Sequence, residues 1–92
     1  MSSSRFVVTV IGLDRVGIVA GVTRVMAEHR VNIADIRQTT MSDLFTMIML
    51  AEVQAEDFDL SAFQGAMSAI GKELGVEINV QHEDAFRFMH RI

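Results

Sequence analysis

Two segments constrain what this chain can fold into more than any others. Residues 5–12, RFVVTVIG, are dense in β-branched side chains, and residues 44–53, LFTMIMLAEV, are apolar almost throughout. In a strand, successive side chains point to opposite faces of the sheet. The first segment therefore puts Phe6, Val8 and Val10 on one face and Val7 and Ile11 on the other. The second is likewise apolar on both faces. Strands of this kind belong in the interior of a sheet, with layers or subunits covering both sides.

The remaining segments change period. Over residues 16–29, Ile18, Val19, Val22, Val25 and Met26 follow the spacing of one helical face. Gly21 lowers helix propensity by about 1 kcal/mol relative to Ala and so marks a site of close packing. Residues 31–41 are extended but more polar. Val31, Ile33 and Ile36 break strict alternation there, which predicts an edge strand or a bulge. Ser42–Asp43 is a turn signal, making a hairpin with the apolar segment that follows.

After a linker at 54–58, Leu60, Phe63, Met67, Ile70 and Leu74 give a second helical stripe. Asp59 is a candidate N-cap, Ser61 with Gln64 an alternative capping box, and Gly75 a stop signal. Residues 76–82 alternate cleanly, with Val76, Ile78 and Val80 inward. The tail to residue 92 is short and amphipathic, with Phe86, Met89 and Ile92 at three-residue spacing. Residues 1–4 read as a disordered tip.

The element order is β-α-β-β-α-β plus a tail. Right-handed crossovers then set both helices on one face of a four-stranded antiparallel sheet, which is an α+β, ferredoxin-like architecture. The second face is left to the tail, a second subunit, or both.

Composition narrows the function. Half of the 92 residues are hydrophobic and mean hydropathy is +0.31. A single domain of this length cannot hide so much apolar surface alone, so a homodimer is expected. Twelve acids against eight Lys and Arg, a net charge of −4, argue against nucleic acid as a partner, which needs a basic face. The only strand aromatics are Phe6 and Phe45, too few for an RNA-stacking sheet. No apolar run nears the ~20 residues that cross a bilayer, so no membrane partner is expected. No leader is visible and there is no Cys, so the expected location is cytoplasmic.

Chemistry is hard to place. No nucleophile–base arrangement is readable, so no catalysis is expected. His29, His82 and His90 fall on different elements, and Met41, Met47, Met49 and Met67 read as core filling. Neither a metal nor a cofactor is implied.

One stretch stands out, VVTVIGLDRVGIV at residues 7–19. Gly12 and Gly17 have the spacing of a phosphate loop, but Ile18 and Val19 stand where its Lys and Ser/Thr belong. The turn still joins a strand to a helix N-terminus, where free N–H groups favour an anion. Gly17 leaves the backbone open to a ligand, and Asp14 offers a carboxylate to an ammonium group. Together they suit the two charged ends of an α-amino acid. On the plainer reading Gly17 permits the turn, Asp14 caps the helix, and Asn32 satisfies a strand-end backbone group.

The segment VTVIGLDRVGIVAGVTRVMAEHRVNIADI resembles the ACT domain, a small regulatory module of βαββαβ fold. The family signature is a strand, G-x-D-R-P-G-[IL], a helix, and a strand opening on NI. Here these are Gly12, Asp14, Arg15, Gly17, Ile18 and Asn32–Ile33. The resemblance spans residues 5 to about 83, and the tail QHEDAFRFMHRI, residues 81–92, looks like that of small stand-alone ACT-domain proteins. The chain is also similar to the ACT repeats of the glycine-cleavage repressor.

The resemblance implies domains paired side by side, with a small amino acid at the seam. It would touch Asp14, Gly17 and the backbone of Val16 and Ile18 on one chain, and Asn32 and Ile33 on the other. Val16 replaces the family's Pro, which implies a looser turn. The function implied is a non-catalytic sensor; the alternative is a ligand-free module that binds a partner protein or drives oligomerisation.

Overall fold

A computed structural model describes residues 4–54 and 57–89. The elements are β1 (Ser4–Leu13), α1 (Ile18–Glu28), β2 (Asn32–Met41), β3 (Leu44–Val53), α2 (Leu60–Leu74), β4 (Val76–His82) and α3 (Glu83–Met89). The strands form one antiparallel sheet in the order β2-β3-β1-β4. The two strands that are apolar on both faces are thus the central pair. The fold is the ferredoxin-like βαββαβ arrangement, with α1 and α2 on one face.

The core lies between that face and the helices. Val8, Val10, Met47, Met49 and Ala51 from the central strands are at most 1% exposed, as are Val22, Met26, Phe63 and Met67 from α1 and α2. Phe6 and Phe45 also point to this side. Met41 departs from the expected core methionines. It ends the edge strand β2, pairs with Leu44, and is 65% exposed.

Local signals set the element ends. α1 begins at Ile18 rather than residue 16, because Gly17 adopts a left-handed φ of 95° and cannot continue a helix backwards. β2 begins at Asn32 rather than Val31. Arg30 turns the chain with φ 59°, and Val31 drops into the core with its N–H donating to Met26 O. The irregular pattern of β2 is both an edge and a bulge: the register shifts between Ile33 and Asp35. Asp59 caps α2, its Oδ1 accepting the Ala62 N–H at 3.0 Å. Gln64, the other half of the alternative capping box, instead donates to Val80 O. Gly75 ends α2 in the left-handed region.

α3 packs on β1 and β4 at one end of the second face, where Val7 is only 7% exposed. The Asp84 N–H donates to His82 Nδ1 at 3.1 Å, and Glu83 pairs with Arg5 and Arg87. Ser4 is the first residue of β1 rather than part of a tip. Residues 1–3 of the expected tip and 90–92 of the tail, with Ile92, lie outside the described residues.

Two glycines separate packing from propensity. A Cβ on Gly12 would stand 2.7 Å from Val76 Cγ1 and 3.0 Å from Val76 Cα, so it would push β4 away from β1. A Cβ on Gly65, exposed within α2, would meet nothing within 4 Å. Gly12→Ala is expected to destabilise by about 1–3 kcal/mol through overpacking. Gly65→Ala is expected to stabilise by up to about 1 kcal/mol through helix propensity. Thermal unfolding followed by circular dichroism reads both, at roughly 4–8 °C per kcal/mol for a domain of this size.

Candidate functional site

The turn between β1 and α1 is held from three sides. The Asp14 N–H donates to Asp43 O at 2.7 Å, tying the turn to the β2–β3 hairpin. Arg15 Nη1 donates to Leu74 O at 3.1 Å, at the C-terminus of α2. That helix end carries partial negative charge, so a guanidinium is favoured there. Gly75 is needed there for its left-handed φ of 74° rather than for space, since a Cβ on it would lie at an ordinary 3.6 Å from Arg15 Nη1. The third anchor is Ile18, whose side chain is 2% exposed and belongs to the core.

What remains outside is Val16, 99% exposed, and Gly17. Nothing lies within 4 Å of the position a Gly17 Cβ would take, so the glycine is needed for its φ rather than for space. α1 has no side-chain cap and no acid in its first turn. Its first N–H groups therefore keep their capacity to bind an anion. Asp14 does not cap the helix; its carboxylate is exposed and has no partner within the described residues.

Asn32 and Ile33 lie elsewhere. Asn32 pairs with Glu52, which pairs with Arg5, whereas Leu13 at the turn pairs with Leu44. Eight residue steps of strand separate the two rows, about 26 Å at ~3.3 Å per residue. Within one chain, Asp14, Val16, Gly17 and Ile18 form one group and Asn32 and Ile33 another, at opposite ends of the sheet. Ile33 is 39% exposed beside the β2 bulge. Bulges at sheet edges re-aim neighbouring side chains.

Sequence reasoning missed the role of Arg15. A basic residue placed to meet a helix C-terminus across 59 residues of sequence leaves no local pattern. The DR pair signals a charged turn and nothing about the distant helix it caps. Of the other candidates, His29 Nδ1 is bonded to Val25 O at 3.0 Å and its ring packs on Phe63. Among the described residues, no group of three or more His, Asp or Glu gathers as for a metal ion. A separate groove of about 200 Å³ lies on the second face beside α3, between Val7, Ile48, Leu50, Arg37 and Phe86. None of the six predicted site residues reaches it.

Fold and turn together define a small βαββαβ module whose uncapped strand-to-helix turn is open to an anion. The ACT domain family model matches residues 4–81. The chain belongs to the ACT domain family, and is a regulatory module of that type. It is 71% identical over 92 residues to a UPF0237 protein of Methanosarcina mazei, covering 100% of both chains. It is 70% identical to a UPF0237 protein of Methanosarcina acetivorans, again over 100% of both. Among solved structures, an ACT domain protein from Streptococcus pneumoniae superimposes with a TM-score of 0.80. That pair is 36% identical, covering 92% of this chain and 96% of the other.

The anchors of the turn are separable in stability. Gly17→Ala forces an L-residue into the left-handed region, at a cost of about 1–2 kcal/mol. Arg15→Ala removes an exposed contact to a helix terminus, about 0.5 kcal/mol at low salt, and Arg15→Lys retains part of it. Unfolding midpoints should therefore rank native above Arg15→Lys, then Arg15→Ala, then Gly17→Ala. High salt should narrow only the arginine differences.

Proposed function

We propose that the chain works as a non-catalytic homodimer that binds a small amino acid at the seam between two copies. The observation that carries this reading is the placement of the two predicted groups at opposite ends of an edge strand. Among the described residues β3 is the only neighbour of β2, whose other backbone edge is free there. Two copies joined antiparallel along β2 about a two-fold axis bring the start of one β2 to the end of the other. The end of β2 is the end that the Asp14–Asp43 hydrogen bond ties to the turn. Asn32 and Ile33 of one copy then stand on the side where Asp14, Val16 and Gly17 of the other are exposed.

The chemistry of the two groups is complementary to one ligand. The first N–H groups of α1, with the backbone of Val16 and Ile18, receive a carboxylate; Asp14 receives an ammonium group. Asn32 supplies an amide that has no partner within the described residues, and Ile33 an apolar wall. A ligand that bridges two chains favours the arrangement in which both contacts are made, and so shifts the population of subunit arrangements. A partner protein would read that shift.

Calorimetric titration with the twenty amino acids, paired with thermal melting, tests this. A cognate ligand at about ten times its Kd should stabilise by about 1.4 kcal/mol, a rise of roughly 6–11 °C. Asp14→Ala should abolish the heat and the shift while leaving the oligomeric state unchanged. No heat and no shift with any amino acid at millimolar concentration would refute the reading.

A further inference from the structure

The groove beside α3 has a defined floor and two unlike walls. On the second face of the sheet Val7 pairs with Leu50, which pairs with Asp35, and in the next row Ile48 pairs with Arg37. α3 packs over β1 and β4 and sets Phe86 along one side of the groove. Val7, Leu50 and Ile48 are thus the floor, the Phe86 ring is one wall, and the Asp35–Arg37 pair on β2 is the other. Val7 and Asp35 stand two strand spacings apart, roughly 10 Å. The volume is about 200 Å³, below the ~300–1,000 Å³ of sites for drug-sized ligands. It suits one ring or one branched chain.

We propose that this groove binds a small monocarboxylic acid with a compact apolar body, its carboxylate on Arg37 and its body between Phe86 and the floor. The state of the Arg37 guanidinium selects the carboxylate. Nη1 donates to Asp35 Oδ1 at 2.6 Å and to Ile36 O at 3.1 Å, which uses both of its hydrogens. Those two contacts fix the plane of the guanidinium. They leave the Nε–H and an Nη2–H, two parallel donors along one edge, with no acceptor within the described residues. Two parallel donors on a fixed edge match the two oxygens of a carboxylate. A fork held in this way also loses little side-chain freedom when a ligand arrives.

The rest of the groove selects the body. Apart from Asp35 and Arg37, every described side chain that lines it is apolar. A polar substituent set down there would give up water for no partner, which favours a plain hydrocarbon chain or ring. None of the six residues of the proposed amino-acid seam lines the groove, so this site is independent of that reading.

Titration of the full chain with phenylacetate and with 4-methylpentanoate, followed by two-dimensional NMR of the backbone amides, tests the site. The amides of Val7, Ile48 and Leu50 should shift and saturate with a Kd on the order of 1 mM, the scale for so few non-hydrogen atoms. Acetate, which lacks the body, and phenylacetamide, which lacks the charge, should each bind at least about tenfold more weakly. Arg37→Gln should weaken both acids at least about tenfold, and Arg37→Lys, which keeps the charge without the fork, should recover only part of the loss. Ile48→Trp should block both acids by filling the groove, and circular dichroism checks that these variants fold. Neither acid carries an ammonium group for Asp14, so Asp14→Ala should leave the shifts unchanged whether or not the seam binds an amino acid.

No shift of the groove amides with either acid at about 10 mM, or shifts confined to Gly17 and Ile18 at the turn, would overturn the proposal. So would phenylacetamide binding as tightly as phenylacetate, or folded Arg37→Gln and Ile48→Trp variants that bind like the native chain.

Discussion

The burial of β1 and β3 is the constraint on which the rest depends. Both strands are apolar on both faces, so both must lie in the middle of the sheet, with β2 and β4 at the edges. α1 and α2 satisfy one face completely, closing a core in which Val8, Val10, Met47 and Phe63 are 0% exposed. Among the described residues, the other face receives only the seven residues of α3. Removing apolar surface from water is worth roughly 25 cal/mol per Å², so a face left half bare is a standing drive toward association. The helix-side packing makes the fold, and the second face leaves apolar side chains in water.

The same strand order positions the turn. β1 delivers the chain to the hairpin end of the sheet, and α1 must cross back over the sheet from there. The crossing needs a left-handed residue, which Gly17 supplies at φ 95°. It also needs anchors, which Asp14, Arg15 and Ile18 supply with backbone, guanidinium and core contacts. Pro would stiffen this turn covalently by fixing φ at residue 16. Here the rigidity comes from the three contacts around Val16, so the missing Pro does not leave the turn unsupported. An uncapped helix start and an unpaired carboxylate thus stand at defined positions on a fixed frame, the condition for specific recognition at low entropic cost.

Much of the fold is legible in the sequence because it rests on local periodicity. The two-faced runs at 5–12 and 44–53 dictate central strands; the stripe from Leu60 to Leu74 dictates a helix capped by Asp59 and stopped by Gly75. What local patterns cannot carry is contact across the fold. Gly12 reads as the end of a strand but serves the close approach of Val76. Arg15 reads as half of a charged turn but caps a helix 59 residues away. Met41 reads as core by its residue type, yet its place at the end of an edge strand exposes it. The candidate site divides in the same way. Its two groups are visible as motifs, while their separation across the sheet follows only from the register of β1, β3 and β2. That separation is what the proposed two-chain site rests on.

The most direct test of the central claim is therefore complementation between chains. Asp14→Ala and Asn32→Ala chains should each fail to bind an amino acid that the native protein binds. Co-refolded in equal amounts, they form mixed dimers in which one seam pairs an intact turn with an intact Asn32. The account predicts recovery of about one quarter of the native binding capacity, from statistical assortment of a two-fold symmetric dimer. A mixture that binds no more ligand than either variant alone would contradict a site shared between two copies.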